Sequence, residues 1–253
     1  MVAPKRRSAS GSPSGGRSRL LRAVRVPFKL CALFLAWTLL VSSTVHAVEN
    51  RSALWVGAQV DGDLGTTDWP NWLYMAQAQY RAFDALDGTR QALGRLGLGY
   101  RLDRGWRIYG RLDYYQTHSP LIGTFREIRT QQSANWGGPA WGRVYLRFRG
   151  MLEQRWIDER DGTAWRFRLR IGLEWPSQNL EHMDWMVFSE SFFDLRELDW
   201  VDRGFNQQRF FFGARIPLGV GLHLEAGYQY QWLNPWGTGD LVNHTLVGMF
   251  RFR

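Results

Sequence analysis

Apolar and polar residues alternate along most of this chain. In 165–175 the odd positions are Trp165, Phe167, Leu169, Ile171, Leu173 and Trp175, and the even positions are Arg166, Arg168, Arg170, Gly172 and Glu174. Successive side chains on a β-strand point to opposite faces, so this segment predicts a strand with one oily face and one charged face. The same period of two recurs in 106–115, where Trp106, Ile108, Leu112 and Tyr114 oppose Arg107, Arg111 and Asp113. In 143–156, Val144, Leu146, Phe148, Leu152 and Trp156 oppose Arg143, Arg147, Arg149, Glu153 and Arg155. In 209–216, Phe210, Phe212, Ala214 and Ile216 oppose Arg209, Gly213 and Arg215. In 222–232, Leu222, Leu224, Ala226, Tyr228, Tyr230 and Trp232 oppose His223, Glu225, Gln229 and Gln231.

Turn chemistry separates these runs: Asp103-Arg104-Gly105, Trp136-Gly137-Gly138-Pro139, Asp161-Gly162, Pro217-Leu218-Gly219 and Asn234-Pro235-Trp236-Gly237. Eleven segments read as strands, near 52–60, 71–83, 90–102, 106–116, 124–134, 141–156, 163–175, 183–193, 205–216, 221–232 and 241–252. No segment after the leader has a sustained 3.6-residue period. The pattern predicts an all-β, antiparallel up-and-down barrel of about 10–12 strands. Bacterial single-chain barrels normally have an even number, so ten or twelve is the expectation.

Periodicity alone leaves open which face is inside. A soluble periplasmic lipocalin-like binding protein puts the oily face in; a transmembrane barrel puts it out. Four features favour the second. Several runs reach ten residues, against about 5–6 for strands of soluble sheets. Trp106, Tyr115, Trp156, Trp165, Trp175, Trp185 and Trp232 sit near strand ends, as an aromatic girdle requires. No lysine occurs after Lys29, whereas soluble surfaces use lysine freely. The last residues, Phe250-Arg251-Phe252-Arg253, form an aromatic strand of the kind read by the barrel-assembly machinery, here closed by Arg.

Composition sharpens the picture once the N-terminus is set apart. Of 32 basic residues, eight lie in 1–47, which hold no acid; the remaining 24 face 23 acidic residues. The net charge of +9 therefore belongs to the leader, and nucleic acid is not an expected partner. Residues 1–29 are basic, 30–45 are an uncharged apolar run, and Val45-His46-Ala47 offers small residues at a cleavage site. That order predicts a cleaved signal peptide over 1–47 and a single outer-membrane barrel domain over 48–253. The one cysteine, Cys31, falls in the leader, so no disulfide is expected in the barrel.

The ordered set Glu127-x-Arg129-x-x-Gln132, Leu152-Glu153-Gln154-Arg155-Trp156, Arg166-x-Arg168-x-Arg170, Glu190-x-Phe192-Phe193, Gly204-Phe205-Asn206-Gln207-x-Arg209, Leu224-Glu225-x-Gly227-Tyr228 and Asn243-His244 resembles an uncharacterised bacterial outer-membrane family, domain of unknown function 2490. The second half of the chain matches best. The resemblance implies an outer-membrane β-barrel of unknown role and supplies no catalytic residues.

Candidate chemistry concentrates on the polar face. Arg147, Arg149, Glu153, Arg155, Arg166, Arg168, Arg170, Glu190, Arg209 and Glu225 form the expected lumen charge network, with Arg143, Glu174 and Arg215 on the same face. Glu153, Glu190 and Glu225 are the expected partners of Arg166, Arg168 and Arg170. Two readings share these residues: a structural plug of ion pairs, or an arginine-lined constriction that selects small anionic solutes. Outer-membrane lipids are the expected surroundings. A lipid-modifying enzyme needs a serine and a histidine together on the outer face; Ser189, Ser191 and His244 are the candidates, and no Gly-x-Ser-x-Gly elbow occurs. The run Asp61–Asp68 resembles a calcium loop without its bidentate Glu, and the dispersed histidines lack metal spacing. No cofactor or metal site is expected. Gly94, Gly97 and Gly99 are expected to relieve crowding within a strand or to mark a bulge.

Overall fold

The computed structural model describes residues 49–65, 70–83, 88–178, 180, 182–234 and 240–253. The predicted signal peptide and part of the Asp-rich loop, residues 66–69, lie outside the described residues. All eleven predicted segments are strands: β1 Glu49–Asp63, β2 Trp72–Phe83, β3 Arg90–Arg101, β4 Trp106–Ser119, β5 Gly123–Trp141, β6 Val144–Ile157, β7 Ala164–Pro176, β8 Asp184–Asp194, β9 Gly204–Gly219, β10 Leu222–Leu233 and β11 Leu241–Phe252. Each pairs with its neighbours in chain order, and the sheet closes into a barrel.

The expected even strand number is corrected to eleven. Direction alternates along a meander, so the first and last of an odd set run the same way. Closure is therefore parallel, from Glu49↔Leu241 to Val60↔Phe252. Every other pair is antiparallel. One rim carries the start of β1 and the β2–β3, β4–β5, β6–β7, β8–β9 and β10–β11 connections; we call it the first rim. The second rim carries the remaining connections and the end of β11.

The stretch Trp136-Gly137-Gly138-Pro139, read above as a turn, is the end of β5 paired to β6. Gly137 stands opposite Arg147 and a Cβ there would strike that guanidinium, so the glycine makes room for a lumen side chain rather than a reversal. Gly97 and Gly99 do the same for Arg111 and Tyr109: a Cβ on Gly99 would lie 2.5 Å from the Tyr109 ring. The register through β3 is unbroken, so these glycines relieve crowding and mark no bulge.

The period of two sorts side chains as the alternation requires. Leu54, Val56, Leu96, Leu98, Ile108, Leu112, Ile128, Phe167, Ile171, Phe212 and Leu246 stand exposed on the outer wall, with Trp106, Trp156 and Trp165. Most charged residues of the barrel strands turn inward: Asp113, Glu127, Glu153, Arg155, Arg166, Arg168, Glu190, Asp194 and Glu225 are buried, while Arg101, Arg107 and Arg126 are exposed. Two placements differ from expectation. Tyr115 is an inward residue, 2% exposed, because it lies an odd step from outward Leu112 and Tyr114. Arg143 falls in the two-residue turn between β5 and β6 and is exposed, since that hairpin closes before the alternation reaches it. At the first rim, Trp200 and Val201 of the β8–β9 connection pack on Ala164, Ile157 and Leu198, and the Trp200 indole donates to the Asp161 carbonyl at 3.0 Å.

Candidate functional site

The inward faces of β3 to β9 build the charge network. Glu190 on β8 is its hub. It accepts from Arg168 at 2.9 Å, from Arg170 at 2.8 Å and from Arg149, and Arg209 stands 4.0 Å away. Arg168 also pairs with Glu153 at 2.6 Å. Glu127 holds Arg129 and Arg155, each at 2.6 Å. Register explains these partners: Arg170 faces Glu190 and Glu190 faces Arg209 across adjacent strands, while Arg149 faces Arg170.

Each predicted lumen residue has a defined place. Arg147, Arg149, Glu153, Arg155, Arg166, Arg168, Arg170, Glu190 and Arg209 lie in this network or at its edge. Arg147 reaches Glu174 at 2.9 Å near the second rim. Two expected partnerships are corrected. Arg166 forks onto Asp194, at 2.8 and 3.1 Å, because the β7–β8 register sets those two opposite each other. Glu225 on β10 pairs with Arg215 at 2.8 Å and Arg251 at 2.6 Å, since its strand neighbours are β9 and β11 and β7 lies three strands away.

Sequence reasoning missed several members. Asp113 binds Arg95 through two oxygens and accepts from Gln131 at 2.7 Å. Gln131 also donates to Glu153 at 2.8 Å, joining the two carboxylates. Spacing held part of the signal: Asp194 is four from Glu190 and so shares its lumen face, and Glu127 and Arg129, two apart, share a face with each other.

Aromatic rings separate the guanidiniums. Arg170 lies 3.9 Å over Phe188, Arg129 3.9 Å over Tyr115, and Arg168 and Arg209 4.5 and 4.6 Å over Phe192. Stacking on a ring face offsets part of the cost of holding like charges together out of water. Among the described residues Arg81 has no carboxylate at hydrogen-bond distance: it binds Gln79 at 2.7 and 2.9 Å and Gln91 at 2.9 Å, and lies 4.2 Å over Trp55.

A cavity of about 400 Å³ occupies the middle of the barrel. Among the described residues, ten arginines line it, with one carboxylate, Glu225. Asp113, Glu153, Glu190 and Asp194 are fully buried behind them and do not reach it. A second cavity of about 520 Å³ opens at the first rim and shares Arg129, Arg155 and Arg166 with the central one. A third, about 230 Å³, lies toward the second rim beside Gly137 and shares Arg149 and Arg170. The interior is thus a row of chambers partitioned by arginine side chains.

The enzyme candidates stay apart on the outer wall. Ser191 donates to Gln208 and Gln208 donates to Ser189, each at 2.6 Å. His244 lies against Tyr228 at 2.5 Å and Asn50 at 3.1 Å. Ser189, Phe210, Tyr230 and His244 stand side by side on four successive strands, so about 14 Å separates serine from histidine at the usual strand spacing. Of the Asp-rich run, Asp61 to Asp63 close strand β1, and Asp61 faces Arg251 at 3.7 Å and Arg253 at 3.5 Å. Among the described residues no cluster of three metal-ligating side chains occurs.

Fold and interior together define a closed, mostly antiparallel eleven-stranded β-barrel with an arginine-rich core and an apolar outer wall. Residues 52–242 match the family described as protein of unknown function (DUF2490), and the chain belongs to that family. An uncharacterized protein of Methylorubrum extorquens strain AM1 is 26% identical over 201 residues, 76% of this chain and 83% of that protein. Among solved structures, the siderophore receptor PirA of Pseudomonas aeruginosa is similar at a TM-score of 0.31 and 16% identity, over 72% of this chain. This chain spans about a third of that receptor, 34%.

Proposed function

We propose that this chain is an outer-membrane barrel whose interior is a narrow, anion-selective path. One observation carries the reading: the central cavity meets ten arginines and one carboxylate, because the other acids are spent in the wall behind them. A narrow polar passage with a cationic surface favours small anions. The exposed apolar wall supports the membrane setting, since a contiguous oily surface of this extent is unfavourable in water and suits lipid. On this reading the partners are membrane lipids, the barrel-assembly machinery and small anionic solutes, and the protein is not an enzyme. Release of fatty acid from phospholipid by the purified barrel would overturn that last part.

The test is electrical. The purified protein in planar bilayers, under a potassium chloride gradient, is expected to conduct with a reversal potential on the chloride side. A potassium-side potential would overturn anion selectivity. Absence of any conductance would favour the second reading, a structural barrel plugged by its ion pairs. That reading draws on Arg149 and Arg170, which both clamp Glu190 and together wall the central chamber from the one at the second rim. Heat-modifiable gel mobility and recovery in the outer-membrane fraction test the location; a soluble, detergent-free monomer would overturn it.

A further inference from the structure

The central chamber is not uniform around its circumference. Nine of the ten arginines come from β2 to β9; β10, β11 and β1 supply a wall that is uncharged apart from the Glu225–Arg251 pair. Register sets Gln231 opposite Asn243 and Gln229 opposite Thr245, so four polar side chains form one block across β10 and β11. All four are at most 4% exposed. Yet, among the described residues, Gln229 Nε2, Gln231 Oε1, Asn243 Oδ1 and Thr245 Oγ1 have no hydrogen-bond partner, and neither does the nearby Trp55 Nε1. Buried polar atoms are normally paired, so a block of this kind is built to meet polar groups from elsewhere. The unpartnered set is mixed: Gln229 Nε2 and Trp55 Nε1 donate, Gln231 Oε1 and Asn243 Oδ1 accept, and Thr245 Oγ1 can do both, while Gln231 Nε2 is already held by the Gln207 side-chain oxygen at 3.0 Å.

Two guanidiniums adjoin this block. Arg81 stands opposite Trp55, and Arg209 stands opposite Gln231. They lie 4.2 and 5.2 Å from the Trp55 ring centre. Among the described residues they are also the least neutralised of the set: Arg81 binds glutamines, and Arg209 donates to the Gln207 side-chain oxygen at 2.7 and 2.8 Å with its nearest carboxylate 4.0 Å away.

We infer that Arg81, Arg209, Trp55, Gln229, Gln231 and Asn243 form a binding site for a polyhydroxylated oxyanion, of the sugar phosphate or sugar acid class. This rests on the anion-path reading and deepens it. The oxyanion would sit between Arg81 and Arg209, where charge-assisted hydrogen bonds are strong. The hydroxyls, each able to donate and accept, would answer the mixed donors and acceptors of the amide block. A bare inorganic anion uses the guanidiniums and leaves the amides unmet. At this block the ring at hand, Trp55, is 5% exposed and already covered by Arg81, which disfavours stacking of a nucleotide base there. A chamber of about 400 Å³ is within the usual size of small-molecule sites.

Calorimetric titration of the purified, detergent-held protein tests this with four probes: glucose 6-phosphate, gluconate, inorganic phosphate and glucose. The first two should bind about tenfold or more tightly than inorganic phosphate, and glucose should not bind detectably. The near-isosteric pair Gln231→Met with Asn243→Leu should bring glucose 6-phosphate down to the level of phosphate while phosphate itself is unchanged. Arg81→Met should weaken all three anions. Heat-modifiable mobility reports whether each variant folds; if the double variant does not, Gln229→Met reads the same ratio. Equal affinity for phosphate and glucose 6-phosphate, or an unaltered ratio in the folded amide variant, overturns the site. Chloride conductance without a preference for the hydroxylated anions would sink this inference and leave the anion path standing. Loss of both conductance and phosphate binding would remove the two together.

Discussion

A carboxylate such as Glu190 shows how position decides the worth of a charge. It is fully buried, with three arginines bonded to it and a fourth close by. Removing its charge would leave these guanidiniums facing one another out of water, which costs about 3 kcal/mol or more. Glu190→Gln should lower barrel stability by that order, read from urea unfolding in lipid vesicles. The Asp63–Arg101 pair is a control of the same chemistry in a different setting. Its side chains are 51% and 42% exposed, so solvent and salt screen the pair, and Asp63→Asn should cost less than about 0.5 kcal/mol. Equal losses in the two variants would refute the distinction. Shape matters at the same scale. Gly99→Leu would drive a side chain into the Tyr109 ring and should destabilise by about 1–3 kcal/mol, in the same assay.

Among the strands, the β1–β11 seam is the element that makes this barrel unusual. Its parallel register sets outward Leu54 beside outward Leu246. Paired Cα atoms in a sheet lie within disulfide reach, and the barrel has no cysteine of its own to confuse the result. Leu54→Cys with Leu246→Cys should therefore cross-link on oxidation and hold the folded gel mobility after heating. Leu54→Cys with Val247→Cys puts the second thiol on the opposite face and should not. The reverse outcome would mean a shifted register or a different strand number. The elements themselves were legible: every predicted segment is a strand. What misled was turn chemistry at Trp136–Pro139, where glycine serves a large neighbour inside the barrel instead of a reversal. A glycine looks the same in sequence whether it permits a bend or a close approach.

For the whole molecule, the row of chambers gives conduction a definite control point. Arg149 and Arg170 part the central chamber from the one at the second rim. Replacing both by alanine should raise single-channel conductance several-fold and weaken anion preference, since the passage widens and loses two cations. An unchanged conductance would place the constriction elsewhere. Raising salt should weaken selectivity in the parent protein as well, because the Debye length falls from about 10 Å at 0.1 M to about 3 Å at 1 M. The ten predicted lumen residues all face inward, yet the site's chemistry rests equally on Arg81, Asp113, Gln131 and the amide block; spacing put Asp113, Gln229 and Gln231 on the polar face without showing which of them meet.

Alternation is local, since it needs only the pleat of a single strand. By itself the sequence therefore determined the strands, their two faces and, Arg143 apart, which charges share a face. Closure, strand parity and the choice of ion-pair partner are long-range, because they depend on how eleven strands are staggered against one another. Only the tertiary structure decided that β11 returns beside β1, that Arg166 meets Asp194 while Glu225 meets Arg215 and Arg251, and that the acids are buried behind the arginines. That last arrangement gives the interior its cationic surface, although the barrel's charges nearly balance.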